Sequence, residues 1–86
     1  MKIIIVGGGQ VGGYIADLLI ENGNNVVVIE NKEKALEMLR KNGLGEEHIL
    51  VGDGTDAKIL ESAGVRGCNA LVCATGADET NLTAAM

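Results

Sequence analysis

Basic residues are scarce: seven lysines and arginines face twelve aspartates and glutamates, a net charge of -5. General nucleic-acid binding needs a basic footprint, and this balance excludes it while leaving room for one small anion held by backbone groups. Two cysteines, Cys68 and Cys73, make no disulfide framework and read as small apolar residues in a reducing cytoplasm. Their odd separation would turn them to opposite faces of a strand that reached both. The single histidine, His48, has no second ligand nearby in sequence. It reads as a solvated side chain rather than a metal ligand or acid–base catalyst. Apolar runs such as Ala70–Thr75 stop after a few residues, far short of a membrane span. Met1–Val6 carries one positive charge and no small-residue cleavage site, so it reads as a buried strand rather than a signal peptide. Proline, tryptophan and phenylalanine are absent, and 86 residues leave no room for a second, substrate-binding lobe in the same chain.

What is plentiful is aliphatic side chains and glycine. Apolar residues make up 47% and charged residues 22%, a balance that argues against disorder. Of thirteen glycines, six fall between Gly7 and Gly23. Short β-branched runs at Ile3–Val6, Val26–Ile29, Ile49–Val51 and Ala70–Ala74 read as strands, the first two continuous enough to be covered on both faces. Between the first two, Val11, Ile15, Leu18 and Leu19 recur at helical spacing and are expected to face inward, with Asn22-Gly23 as the stop. Asn31 is expected to cap a second helix over 32–41 with Ala35, Leu36 and Leu39 inward, ended by Asn42-Gly43. A polar loop through Glu46, Glu47 and His48 precedes the third strand. Asp56 is suited to cap a third helix, Ala57 to Ala63, closed by Gly64, with Val65 to Asn69 a connector. A fourth helix is expected from Thr75 or Asp78 onward.

Strand–helix alternation of this kind gives an α/β fold, a Rossmann-like parallel sheet of strand order 3-2-1-4 with helices on both faces. The short last helix and an open, apolar fourth strand read as truncation, with more chain or a partner expected on that edge.

Gly7-x-Gly9-x-x-Gly12 lies between a strand and a helix, the context that gives this motif meaning. Gly7 allows the tight turn, Gly9 carries no Cβ to hold a pyrophosphate away, and Gly12 lets the helix lie close to the strand. The helix start then offers unpaired N–H groups to an anion; the alternative is the same turn without a ligand. Glu30 ends the second strand eighteen residues after Gly12, where a carboxylate accepts from both ribose hydroxyls and repels a 2′-phosphate. NAD or an adenine nucleotide is thereby favoured over NADP; the alternative is a solvated glutamate. Asp53 and Thr55 follow the third strand, on the rim where an adenine ring would extend, or else they only shape a turn. Thr75 and Gly76 would face the glycine loop across the point where strand order reverses, and Asn81 could approach phosphate there or be an ordinary helix residue. Ser62 lacks a nucleophile elbow, and no residue pair suggests hydride or acyl transfer. Tyr14 belongs to the surface or to a partner.

The run IIIVGGGQVGGYIADLL, then VVVIE, VGDGTDAKILESAGV and ALVCATGADETNLTAA resembles the nucleotide-binding RCK domain, also called KTN or TrkA-N. The resemblance covers nearly the whole chain, residues 1–86, as an N-terminal domain incomplete at its C-terminal end. It implies a cytoplasmic regulator at the inner face of the membrane, partnered with a potassium channel or transporter subunit and assembled as a homodimer or higher ring. No nucleic acid, no direct membrane insertion and no catalysis are implied. The implied ligand is NAD(H) or ADP/ATP. Phosphate contacts are implied at Gly7, Gly9, Gln10, Val11 and Gly12, a ribose contact at Glu30, adenine-side contacts at Asp53 and Thr55, and a crevice role for Thr75 and Asn81. The later strands and the family's usual C-terminal ligand domain are missing from this sequence. A second reading is the N-terminal cofactor-binding piece of an NAD-dependent dehydrogenase.

Overall fold

The β-branched runs form the strands of one parallel sheet in a computed structural model that describes residues 1–74. β1 (Lys2–Val6), β2 (Asn25–Glu30), β3 (Ile49–Val51) and β4 (Ala70–Cys73) lie in the order β3-β2-β1-β4. Ile4 pairs with Val27 on one side and Leu71 on the other, and Ile5 with Val28 and Val72, so β1 is flanked along its length. Ile4 and Ile5 have no exposed surface. Such double coverage is why these strands read as unbroken apolar runs rather than alternating ones.

Helices α1 (Gln10–Glu21) and α2 (Glu33–Lys41) cover one face and α3 (Ala57–Ala63) the other. Ile3, Ile5, Val26 and Val28 pack with Ala16 and Leu39 on the first face; Ile4 and Ile29 pack with Ala63, Ile59 and Leu60 on the second. The switch of face follows from crossover handedness, because the chain moves one way from β1 to β3 and back the other way to β4. Helix ends fall where expected, with Gly23, Gly43 and Gly64 at positive φ after α1, α2 and α3. Asp56 caps α3, accepting from the Lys58 N–H at 2.9 Å. The connector contains a 3-10 turn, Val65–Gly67, and Asn69 bonds the Lys2 backbone at both ends, its Oδ1 accepting at 2.8 Å and its N–H donating at 2.7 Å. This fixes the register of β4 on β1.

Three expectations need correction, those for the inward row of α1, the cap of α2 and His48. The inward row of α1 is Gly12, Ile15, Ala16, Leu19 and Ile20, whereas Val11 and Leu18 are 48% and 42% exposed. The small residues Gly12 and Ala16, one turn apart, set the contact face because they let the helix axis come nearest the sheet; Val11 and Leu18 are rotated off that line. The second helix begins at Glu33, and its N-cap, Lys32, makes no side-chain cap bond; Asn31 does not cap it. Glu30 instead accepts from the Asn31 and Lys32 N–H groups just before the helix, as described below. His48 is half-buried in a 3-10 turn (Glu46–His48), with Nδ1 2.8 Å from the Val26 carbonyl, to which Nδ1–H donates. β3 begins opposite Val28, so its ladder does not extend to Val26, and the imidazole supplies the missing donor. Cys68 precedes β4 and packs near Ile4, so the two cysteines do not share a strand; both are free thiols. The expected fourth helix lies outside the described residues. Among those described, no helix is long and apolar enough to cross a membrane.

The corrected packing predicts a contrast in urea unfolding. Ile4→Ala is expected to lower stability by about 2–5 kcal/mol, and Val11→Ala to change it by less than about 0.5 kcal/mol.

Candidate functional site

The C-terminal ends of β1, β2 and β3 form one rim, and the glycine loop is built on it. Gly7 extends the ladder, its N–H donating to the Ile29 carbonyl at 2.8 Å, then turns the chain with φ of 101°. That conformation places α1 back across the strand. A Cβ on Gly12 would collide with the Gly7 carbonyl oxygen, so the expected close approach is a backbone contact. Gly9 is the N-cap of α1 and has no side chain to bond the first turn. The first intrahelical bond runs from Gly13 N–H to the Gly9 carbonyl at 2.9 Å, which leaves the Gln10, Val11 and Gly12 N–H groups ahead of the ladder. No acidic residue lies in that first turn. A Cβ on Gly9 would meet nothing within 4 Å. Nothing packed in the described protein therefore needs glycine at position 9. Open space before uncapped donors is the geometry a phosphate fits.

Glu30 is 9% exposed and its carboxylate accepts from three backbone N–H groups. Oε1 accepts from Gly8 N–H at 2.6 Å, and Oε2 accepts from the N–H groups of Asn31 and Lys32, each at 2.9 Å. Burial pushes its pKa up, but the bonds from Gly8, Lys32 and Asn31, with the Lys32 ammonium, outweigh burial and hold the group below the usual carboxylate range. Glu30 is thus not a solvated glutamate: it links the glycine loop to the turn before α2. Gly8, which the motif leaves unassigned, is part of the site; a Cβ there would lie 2.6 Å from Leu39 Cδ1. The run of three glycines was the available signal, since the motif itself asks for only two of them.

Asp53 folds onto its own loop, Oδ1 accepting from Thr55 N–H at 2.8 Å and from Thr55 Oγ1 at 2.7 Å. Both bonds favour the ionised form and lower its pKa. The turn is therefore present, and a role toward a ligand would fall to what Thr55 leaves free. Gly7, Glu30, Asn31, Gly52, Asp53 and Thr55 line one open cleft of about 90 Å³. Pockets that enclose a whole ligand hold roughly 300–1,000 Å³, so this cleft suits one part of a larger molecule. Gln10 and Val11 are exposed at the start of α1, outside the cleft's lining. Thr75 and Asn81 lie outside the described residues. Among those described, no group of three or more His, Cys, Asp or Glu could hold a metal ion.

A family model, the TrkA-N domain, matches residues 3–86. The chain belongs to the TrkA-N family. The chain is 45% identical over 84 residues to a Trk system potassium uptake protein TrkA homolog of Methanothermobacter thermautotrophicus, covering 95% of this chain and 37% of that protein. A homolog of the same description in Pyrococcus horikoshii is 38% identical over 98% of this chain and 36% of its own length. Trk system potassium uptake protein TrkA of Vibrio alginolyticus is 34% identical over 98% of this chain and 18% of its own. The chain thus spans little more than a third of these relatives, and for the last less than a fifth. What covers the rest of a TrkA-N relative is not represented in these 86 residues.

Two outcomes are expected from this geometry. In thermal or urea unfolding, Gly12→Ala lowers stability by about 1–3 kcal/mol or more through overpacking against backbone, while Gly9→Ala stays within about 1 kcal/mol of the parent. Because the folded-state pKa of Glu30 is depressed, its contribution is present above the unfolded-state value and lost as pH falls through the folded-state one. Stability measured from neutral pH down through the carboxylate range should therefore fall less steeply in Glu30→Gln than in the parent.

Proposed function

We propose that this chain is the nucleotide-binding regulatory domain of a potassium uptake system, spanning residues 1–86 and holding NAD(H) or ADP/ATP on the glycine loop. The observation that carries the reading is the uncapped start of α1, open at Gly9 and beside an ionised Glu30. In it the N–H groups of Gln10, Val11 and Gly12 donate to phosphate oxygens, with Gly7 and Gly9 leaving the approach clear. Glu30 faces the ribose, and the Gly52–Thr55 side of the cleft takes the adenine end. The resemblance extends the proposed ligand contacts to Thr75 and Asn81. The names of the relatives support the potassium-uptake assignment.

In this reading the domain binds and does not react, and its ligand acts by favouring one of two states of a larger assembly. The partner is a membrane channel or transporter subunit. The domain works on the cytoplasmic side, peripheral to the membrane, as a homodimer or ring.

Calorimetric titration of the chain with NAD, NADH, ADP, ATP and NADP tests this. Binding of at least one of the first four is expected, with NADP at least about tenfold weaker than NAD because Glu30 opposes a second negative group. Gly9→Val should weaken binding by about tenfold or more while leaving the protein folded. Absence of binding to every nucleotide in the series would reject the sensing role.

A further inference from the structure

In the proposed site Glu30 does more than face a ligand, because its carboxylate already holds backbone of two loops. An ionised carboxylate offers about four lone-pair positions. Three are taken by backbone N–H groups: Gly8 on Oε1, and Asn31 and Lys32 on Oε2. Gly7 N–H continues the ladder to the Ile29 carbonyl, and Gly8 N–H, the next donor along the loop, is held by Glu30 Oε1 at 2.6 Å. The loop can relax without that bond, since Gly7 and Gly9 on either side of Gly8 have no Cβ to resist rotation.

We propose that Glu30 is first a positioning residue for the phosphate loop, holding Gly8 so that the Gln10–Gly12 donors stay aimed at the ligand, and that it has one acceptor position left for a single ribose hydroxyl. The inference rests on the nucleotide reading above and adds to it a role that does not depend on ribose. Loss of the carboxylate thus loosens the grip on phosphate itself. The neutral amide of Glu30→Gln makes this worse, because its NH2 group brings donors to a place already lined with donors.

The test separates the two roles by using a probe with no ribose. Inorganic pyrophosphate and ADP are titrated into the parent and into Glu30→Gln, whose fold is checked by circular dichroism. Both affinities are expected to fall by roughly tenfold or more, as for loss of a hydrogen bond to a charged group. A fall for ADP with pyrophosphate unchanged would overturn the positioning role and leave the nucleotide reading standing. Paired titrations with 2′-deoxy-ADP and 3′-deoxy-ADP should show a penalty for one of the two only; equal penalties count against the single remaining acceptor. The Gly8 amide proton gives a readout without any ligand or variant. In the ligand-free parent it should resonate at low field and exchange slowly. Fast exchange there would overturn the proposal even if nucleotides bind, whereas slow exchange with no nucleotide binding would reject the nucleotide reading and keep the clamp.

Discussion

The carbonyl oxygen of Gly7 lies where a side chain on Gly12 would begin, so α1 can return across the end of β1 only if position 12 has no Cβ. Much follows from that one backbone contact. With the helix so near the strand, Ala16 is fully buried one turn later, and Ile15, Leu19 and Ile20 reach the core formed by Ile3, Ile5, Val26 and Val28. The same approach fixes where the helix starts. Its first-turn N–H groups open at the C-terminal rim of the sheet, the place where ligands of open α/β sheets bind. Packing and site are thus set by a single steric constraint, and a change there disturbs both.

Glu30 joins this turn to the next one. Parallel strands that end side by side leave two loops with unpaired N–H groups at the same level of the sheet. One carboxylate at the end of β2 serves Gly8 of the first loop and Asn31 and Lys32 of the second. Burying a charge is unfavourable, and here the penalty is offset because each oxygen is hydrogen-bonded. Both of the N–H groups that Glu30 takes from the second loop lie just before α2 rather than in its first turn, whose N-cap, Lys32, makes no side-chain cap bond.

Much of the fold was legible because its signals are local. The β-branched runs, the stop at each of Gly23, Gly43 and Gly64, and the Asp56 cap are decided by neighbours in sequence. Strand order followed from handedness once the elements were counted. What was not legible depends on contacts between distant residues. Leucine and valine at helical spacing do not say which of two adjacent stripes faces inward, and the smaller Gly12 and Ala16 decided it through approach distance. His48 looked solvated because the short ladder of β3, which leaves Val26 needing a donor, is a property of the sheet. In the site, the motif pointed to the turn at Gly7 and the close helix approach at Gly12, both of which the structure has. It said nothing of Gly8, whose role comes from a carboxylate 22 residues away.

A net charge of -5 on a chain proposed to bind polyphosphate is a conflict only if charge is summed over the whole surface. Surface charges more than about 8 Å away are largely screened at physiological ionic strength. An extended polyanion samples that whole surface and needs it to be basic, which this one is not. The proposed binding puts a single phosphate at the start of α1, within hydrogen-bond distance of its donors, and the first turn holds no carboxylate to oppose it. The nearby negative group is Glu30, and its bonds keep it ionised well below neutral pH. Its repulsion of a second phosphate on the ribose is therefore a fixed property across the neutral range. If the proposed nucleotide site holds, discrimination of NAD from NADP by this residue should not titrate across the neutral range, whereas a histidine in the same place would make it do so.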